Sequence, residues 1–255
     1  MTIQSGPVVT EKYINGHAPA VLAFMQRRSI SSHGHFVEPL LAPGQTLLDV
    51  GCGPGNMTLE LAARVGGSGK VVGVDAHSAQ FPPNSPVPFA APVEFKTMDA
   101  YQLDFPAGTF DGVFSHALLE HLARPLDFLA QAHRVLKVGG FVALRSPDWG
   151  GTVLNPYDEP VRAAFQARLA LQQTAGGNVF AGRHLGEWLK QAGFGHVHVS
   201  ASFEIYPAPR LIAEHLANQM RNRGDTHHAA AWHQWGQNPE ALFAQAWFEA
   251  TARKI

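Results

Sequence analysis

Asp49 stands between an apolar run and a glycine turn, and that neighbourhood is the chemistry-bearing centre of the chain. Leu47-Leu48-Asp49-Val50 leads into Gly51-Cys52-Gly53-Pro54-Gly55-Asn56, and an amphipathic segment, Met57 to Val65, follows at once. Strand, tight turn and helix in that order build a nucleotide-type pocket at the carboxyl edge of a parallel sheet. Gly51, Gly53 and Gly55 allow positive φ and bring backbone close to a ligand. The surrounding residues decide which ligand. A phosphate-binding P-loop needs a lysine and a hydroxyl residue after the last glycine, but Asn56, Met57 and Thr58 follow here. A dinucleotide loop sets pyrophosphate on the helix N-terminus with GxGxxG spacing. The spacing here is GxGxG, Pro54 has no amide proton to offer, and Asp49 repels phosphate. A nicotinamide oxidoreductase is therefore the weaker reading. S-adenosylmethionine (SAM) carries no phosphate and two positive groups, a sulfonium and an ammonium, and a carboxylate beside the loop suits it.

Further carboxylates extend the pattern. Lys70 to Asp75 reads as a buried strand ending in an acid, 24 residues after Gly51. Asp75 is placed to accept both ribose hydroxyls, a feature that NAD and SAM share. A third edge, Val93 to Ala100, offers Asp99 to the adenine amino group. A fourth run, Phe110 to His116, ends in an imidazole where open α/β sheets hold ligands, which makes His116 a candidate general base. Glu120 and His121 follow it, but the HExxH order of a zinc site is absent, so a capping or structural role is expected. Asp148 and Trp149 come after the fifth strand, again at the functional edge, and are candidate substrate contacts. Arg145, inside that strand, must be paired or face a pocket. The chain has 14 histidines. His33/His35, His196/His198 and His227/His228 with His233 form clusters; His196 and His198 alternate on one side of a predicted strand, but no cysteine or carboxylate at ligand spacing accompanies them, and no metal is expected.

The elements that must position these groups alternate. Strands are predicted near 46–50, 70–75, 93–98, 111–116 and 140–146, with helices near 56–66, 117–122 and 125–137 and Gly139-Gly140 closing the last. That alternation gives an α/β, doubly wound, mostly parallel sheet of Rossmann type. Residues 1–11 look poorly ordered, and two helices are read between Lys12 and Leu41, with Val21, Leu22, Phe24 and Met25 on the apolar face. Beyond Asp148, helices are expected over 159–173, 182–192 and 209–223, and a strand over 196–206. Phe248 to Lys254 is either a strand or the end of a helix; as a strand it completes an antiparallel pair. Trp232, Trp235, Trp247, Phe243 and Phe248 read as core, with an apolar lid as the alternative. One domain is expected over 1–255, made of an amino-terminal helical segment (1–45), a ligand-binding core (46–148) and cap elements (149–255).

Composition narrows the class. With 45% hydrophobic residues and a net charge of −1, the chain has no electrostatic footprint for nucleic acid or an anionic membrane. No apolar run approaches the ~20 residues of a membrane span, and the amino terminus lacks the pattern of a secretory signal. A single cysteine, Cys52, fits a reducing cytoplasm. The partner expected is a small molecule, and nothing fixes an oligomeric state.

The combination LLDVGCGPG (47–55), VVGVD (71–75), MDA (98–100), FDGVFSHALLEHL (110–122) and RVLKVGGFVAL (134–144) resembles the class I SAM-dependent methyltransferases, of the small-molecule group that includes the ubiquinone and menaquinone methyltransferases. The resemblance implies methyl transfer from SAM, with S-adenosylhomocysteine as the product, to a carbon, nitrogen or oxygen of a small acceptor. The alternative is a SAM-binding protein of this fold with other chemistry. The resemblance also implies that Gly51, Cys52 and Gly53 approach the methionine part, that Asp75 and Ala76 lie at the ribose, and that Asp99 and Ala100 lie at the adenine. His116 then lies beside the ligand, and Tyr13 and Arg28 reach the SAM carboxylate. The sequence departs from the family after Asp75. Pro82, Pro83, Pro86, Pro88 and Pro92 exclude a continuous helix there, at about 3 kcal/mol for each interior proline, and a loop or short turn is expected. The D/N-P-P-Y sequence of DNA and protein-amide methylators is also missing, since Ser115-His116-Ala117-Leu118 stands in its place.

Overall fold

A computed structural model describes residues 13–14, 19–82, 91–206 and 208–255. Residues 1–12 and 15–18, the side chain of Phe24 and most of the proline-rich segment lie outside what is described. Seven strands form one sheet: β1 (Thr46–Val50), β2 (Lys70–Asp75), β3 (Val93–Thr97), β4 (Phe110–His116), β5 (Leu136–Asn155), β6 (Phe194–Ile205) and β7 (Leu242–Lys254). Their order is β3-β2-β1-β4-β5-β7-β6. The first five are parallel, and β7 runs antiparallel to both β5 and β6. Rossmann-type alternation and the antiparallel end are both present, and residues 242–254 are strand rather than helix.

Successive residues of the central strands point to opposite faces, and each face has its own apolar core. Leu48, Val72, Val113 and Val142 pack with Phe128, Leu129 and Ala132 of α3 (Pro125–Val135) and with Leu185 and Leu189 of α5 (Ala181–Gln191). Leu47, Val71, Phe114 and Ala143 pack on the other side with Met57, Leu61 and Val65 of α2 (Asn56–Val65). A third core belongs to the carboxyl half. There α4 (Glu159–Thr174), α6 (Pro209–Arg221) and α7 (Thr226–Gly236) enclose Phe165, Trp232, Trp235 and Phe243. Asp158 and Asp225 cap α4 and α7 by accepting backbone N–H groups, as N-cap carboxylates do.

Four expectations need correction. The amino-terminal segment forms one described α-helix, α1 (Pro19–Gln26), then a single π turn over Ile30–Gly34 and a 3₁₀ turn over His35–Leu40 that contains Pro39. The stretch after His116 is not a helix beyond a 3₁₀ turn at Leu119–His121, because Ala117 takes a left-handed φ of 56° and breaks the spiral. Gly139-Gly140 does not close α3. That helix ends at Val135, Leu136 pairs with Phe110, residues 137–140 bulge out with Gly139 at φ 79°, and pairing resumes at Gly112–Phe141. His196 and His198 do not lie in regular strand alternation, because His196 has φ 52° inside a register shift of β6.

Gly112 shows how tightly the sheet is filled. A Cβ there would sit 2.2 Å from the ring of Phe141, which is itself 1% exposed. Gly112→Ala should therefore destabilise the fold by about 1–3 kcal/mol, the range for overpacking. Urea denaturation with an unchanged midpoint would show that the ring can move aside.

Candidate active site

The carboxyl ends of β1, β2 and β4 and the turns after them surround a cavity of about 260 Å³. Asp49, Gly51, Cys52, Gly53, Asp75, Ala76, Asp99, Ala100 and His116 all line it, and so do Tyr13 and Arg28 from the amino-terminal segment. The glycine turn is folded inward. The amides of Gly51 and Cys52 donate to the Val74 carbonyl, that of Gly55 donates to the Cys52 carbonyl, and that of Gly53 donates to Asp75 Oδ2 at 3.0 Å. Pro54 has none. The loop amides are spent on the end of β2 and on the loop itself, so the turn offers no nest for pyrophosphate. Gly51 sits at φ 75°, and a Cβ there would crowd Leu118 at 3.1 Å.

Acidic groups dominate the cavity wall. Asp49 is 2% exposed, and its Oδ2 accepts one hydrogen bond from the Thr58 hydroxyl at 2.6 Å. Burial pushes its carboxyl up to about 7; the Thr58 bond pulls it back and Asp75 raises it further. Asp75 Oδ1 accepts the His77 amide at 3.0 Å, and Asp99 Oδ1 accepts that of Tyr101 at 2.9 Å. Cys52 is held as a neutral thiol, its ionisation opposed by burial and by Asp49 and Asp75. These residues suit a cationic nucleoside, with acids for ribose and adenine and a carboxylate where positive charge is needed.

His116 differs from the general-base expectation. Its Nε2 lies 2.9 Å from Arg145 Nη1. A guanidinium only donates, so Nε2 must accept, and its lone pair is already used. Burial, reinforced by Arg28, Arg145 and His33, holds the ring well below its ordinary value of 6.5. Arg145 is paired within the strand: its Nε lies 3.3 Å from Glu249 Oε1 and its guanidinium covers Trp247 at 4.2 Å. Asp148, expected at the acceptor, lines no described cavity. Its carboxylate takes Arg183 Nε at 2.5 Å and Nη2 at 2.8 Å, and the Gly151 amide at 3.1 Å, at the start of the register shift in β5.

Trp149 lies on a second, smaller cavity of about 50 Å³. Tyr13, Met25, Arg28, Ala117 and His121 line both spaces, so the two share a wall. Glu120, Arg168, Tyr206, His215 and Trp247 complete the smaller one. The sequence reading placed Glu120 in a capping role and passed over Arg168. The signal for Arg168 was present: it falls on the α4 stripe Val161, Ala164, Phe165, Arg168, Gln172, all buried, where a charge is out of place.

Comparison with known proteins settles the family. The family model described as a methyltransferase domain matches residues 48–144. An uncharacterised methyltransferase of Schizosaccharomyces pombe is 32% identical over 77% of this chain and 80% of its own length. The chain belongs to the SAM-dependent methyltransferases. A demethylmenaquinone methyltransferase of Symbiobacterium thermophilum is 36% identical over 45% of this chain and 48% of its own, so the chain spans about half the length of such relatives. Among solved structures, a Haemonchus contortus phosphoethanolamine N-methyltransferase bound to S-adenosylhomocysteine and its phosphorylated amine superposes with a TM-score of 0.52 at 19% identity, over 84% of this chain and 49% of that one. At that identity the likeness is one of fold. No helix among the described residues of this methyltransferase is long and apolar enough to cross a membrane.

Two measurements probe the site's charges. The folded chain binds the Asp49 proton more tightly than the unfolded chain, so ionisation of Asp49 should cost stability as pH rises from about 4 to about 7. A cation bound beside it offsets that cost. The rise in melting temperature given by SAM should therefore grow between about pH 6 and pH 8, and Asp49→Asn should flatten it. A SAM shift with the same pH dependence in both proteins would count against the assignment. For His116, NMR should show no titration near the ordinary imidazole value of 6.5; titration there would show that its lone pair is available to a proton, as a general base requires.

Proposed function

We propose that this methyltransferase methylates a small-molecule acceptor held in the second cavity, at a carbon, nitrogen or oxygen nucleophile. One observation carries the reading: the acid-lined cavity and the aromatic one meet along Tyr13, Arg28 and Ala117, so donor and acceptor would face each other across a shared wall. SAM supplies an electrophilic methyl group on a sulfonium. The chain's own work is to bind, orient and exclude water. Asp75 is assigned to the ribose hydroxyls, Asp99 and Ala100 to the adenine, and Asp49 to the positive end of the donor. Gly51, Cys52 and Gly53 give close backbone approach, Ala76 flanks the ribose, and Arg28 and Tyr13 are assigned to the donor carboxylate.

Positioning suffices for such a displacement, since effective molarities for oriented reactants reach roughly 10⁵–10⁸ M. His116 is given no base role in this reading. It anchors Arg145, which in turn supports Trp247 at the wall of the acceptor space. Trp149 is assigned to the acceptor, whereas Asp148 is assigned to the frame. The lone thiol, Cys52, is buried, in keeping with work in a reducing cytoplasm.

SAM or S-adenosylhomocysteine should raise the melting temperature and NAD(H) should not. Asp75→Ala should weaken SAM by about 1.5–3 kcal/mol, the range for hydrogen bonds involving a charged group, read by calorimetry. A screen of quinols, phenols and amines should yield S-adenosylhomocysteine with at least one class. Consumption of none, with SAM bound, would favour a non-methylating role.

A further inference from the structure

Arg168 is the least explained charge among the described residues. It is 1% exposed, in the third turn of α4, and lines the second cavity. Its Nη1 donates to Gln172 Oε1 at 2.5 Å, and its plane lies over the Trp149 ring at 3.4 Å. Among the described residues its Nε has no hydrogen-bond partner and no carboxylate forms an ion pair with it. A buried cation with a single hydrogen bond is costly unless an anion meets it.

The nearest acid does not fill that role. Glu120 is 3% exposed, and its Oε2 accepts the Ser146 hydroxyl at 3.1 Å. Burial raises its carboxyl to about 7, so much of it is neutral near neutral pH. His121 lies 3.7 Å from Glu120, but burial, with Arg168 and Arg28, pushes its imidazole down to about 3, and the same causes hold His215 there. Both rings are neutral. The charges facing the cavity are then Arg28 and Arg168 against a partly protonated Glu120.

The aromatic walls point the same way. Tryptophan faces attract cations, and a substrate ammonium would need one. These faces are already covered: Trp149 by Arg168 at 3.4 Å, and Trp247 by Arg145 at 4.2 Å and Arg28 at 5.6 Å. The indole N–H groups of Trp149 and Trp247, by contrast, are buried without acceptors among the described residues. What the cavity lacks is negative, oxygen-bearing and planar enough to lie among aromatic rings.

We propose that Arg168 is the anchor of an oxyanion site, and that the acceptor is a compound whose carboxylate, phenolate or enolate oxygen is seated by the Arg168 guanidinium with the indole N–H of Trp149 or Trp247. The proposal rests on the second cavity being the acceptor space. Its volume of about 50 Å³ holds a head group of a few heavy atoms, since one water needs roughly 10–15 Å³ by that measure. The remainder of the acceptor would extend along the shared wall toward Ala117.

The test uses the whole protein and four probes of one size: benzoate, para-nitrophenolate, benzamide and benzylamine, titrated by calorimetry with and without S-adenosylhomocysteine. Donor binding and anion preference are thereby read separately. With the donor product bound, one of the two anions should bind at least about tenfold more tightly than benzamide, the low end for a charge-assisted hydrogen bond, and benzylamine should bind most weakly. Benzoate ahead assigns a carboxylate head group, and nitrophenolate ahead assigns a phenolate or enolate. Arg168→Met should erase the preference while S-adenosylhomocysteine still raises the melting temperature, and Arg168→Lys should keep part of it. Equal binding of anion and amide, preference for benzylamine, or no binding of any probe overturns the proposal. So does a preference that survives in Arg168→Met. Where Arg168→Met fails to fold, the ranking of probes on the unaltered protein decides.

Discussion

Burial of the Asp49 carboxylate is the constraint around which the donor half is built. A carboxylate taken out of water with one hydrogen bond is a local liability, and Thr58 supplies that single bond. The backbone cannot carry Asp49 back to solvent, because β1 is paired with β2 on one side and β4 on the other at this residue. The neighbouring groups make the environment more acidic rather than less, since Asp75 closes the same cavity. The loop amides that would have welcomed an anion are turned onto Val74, Cys52 and Asp75. In the proposed reading, positive charge brought by the donor relieves the arrangement, and the selectivity of the cavity follows from that one placement.

Much of this half was legible in the sequence. The continuous apolar runs of β1 and β2, the glycine turn and the acids at strand ends are local signals, each written within about ten residues. The failures are also informative. Gly139-Gly140 looked like a helix stop, yet the chain had already left the helix to pair Leu136 with Phe110, a contact no local window contains. Ala117 carries no sign of its left-handed backbone; its amide is held by the Arg145 carbonyl from the next strand. His116 looked like a base because an imidazole at a strand end often is one. Its Nε2 lone pair is engaged by Arg145, 29 residues on.

The carboxyl half was harder to read for the same reason. Its core is made by α4, α6, α7 and β7, elements far apart in the chain, and its polar groups gain meaning only once they meet. Trp149 and Asp148 are adjacent in sequence and looked alike. Trp149 lines a cavity wall, whereas Asp148 is held by Arg183. Arg168 is the exception, because a lone charge in an apolar helical stripe is visible without any structure.

The position of β7 has a consequence for how the molecule comes into being. β6 has no strand neighbour other than β7, and β7 is residues 242–254. During synthesis the parallel part of the sheet can assemble as soon as β5 emerges, in keeping with amino-terminal regions folding first. β6 and the wall carrying Trp247 must wait for some forty further residues to be made. The nascent chain thus passes through a stage in which the donor pocket is built and one flank of β5 is an open edge, which is the stage at which a chaperone or a mispaired strand has its best opportunity.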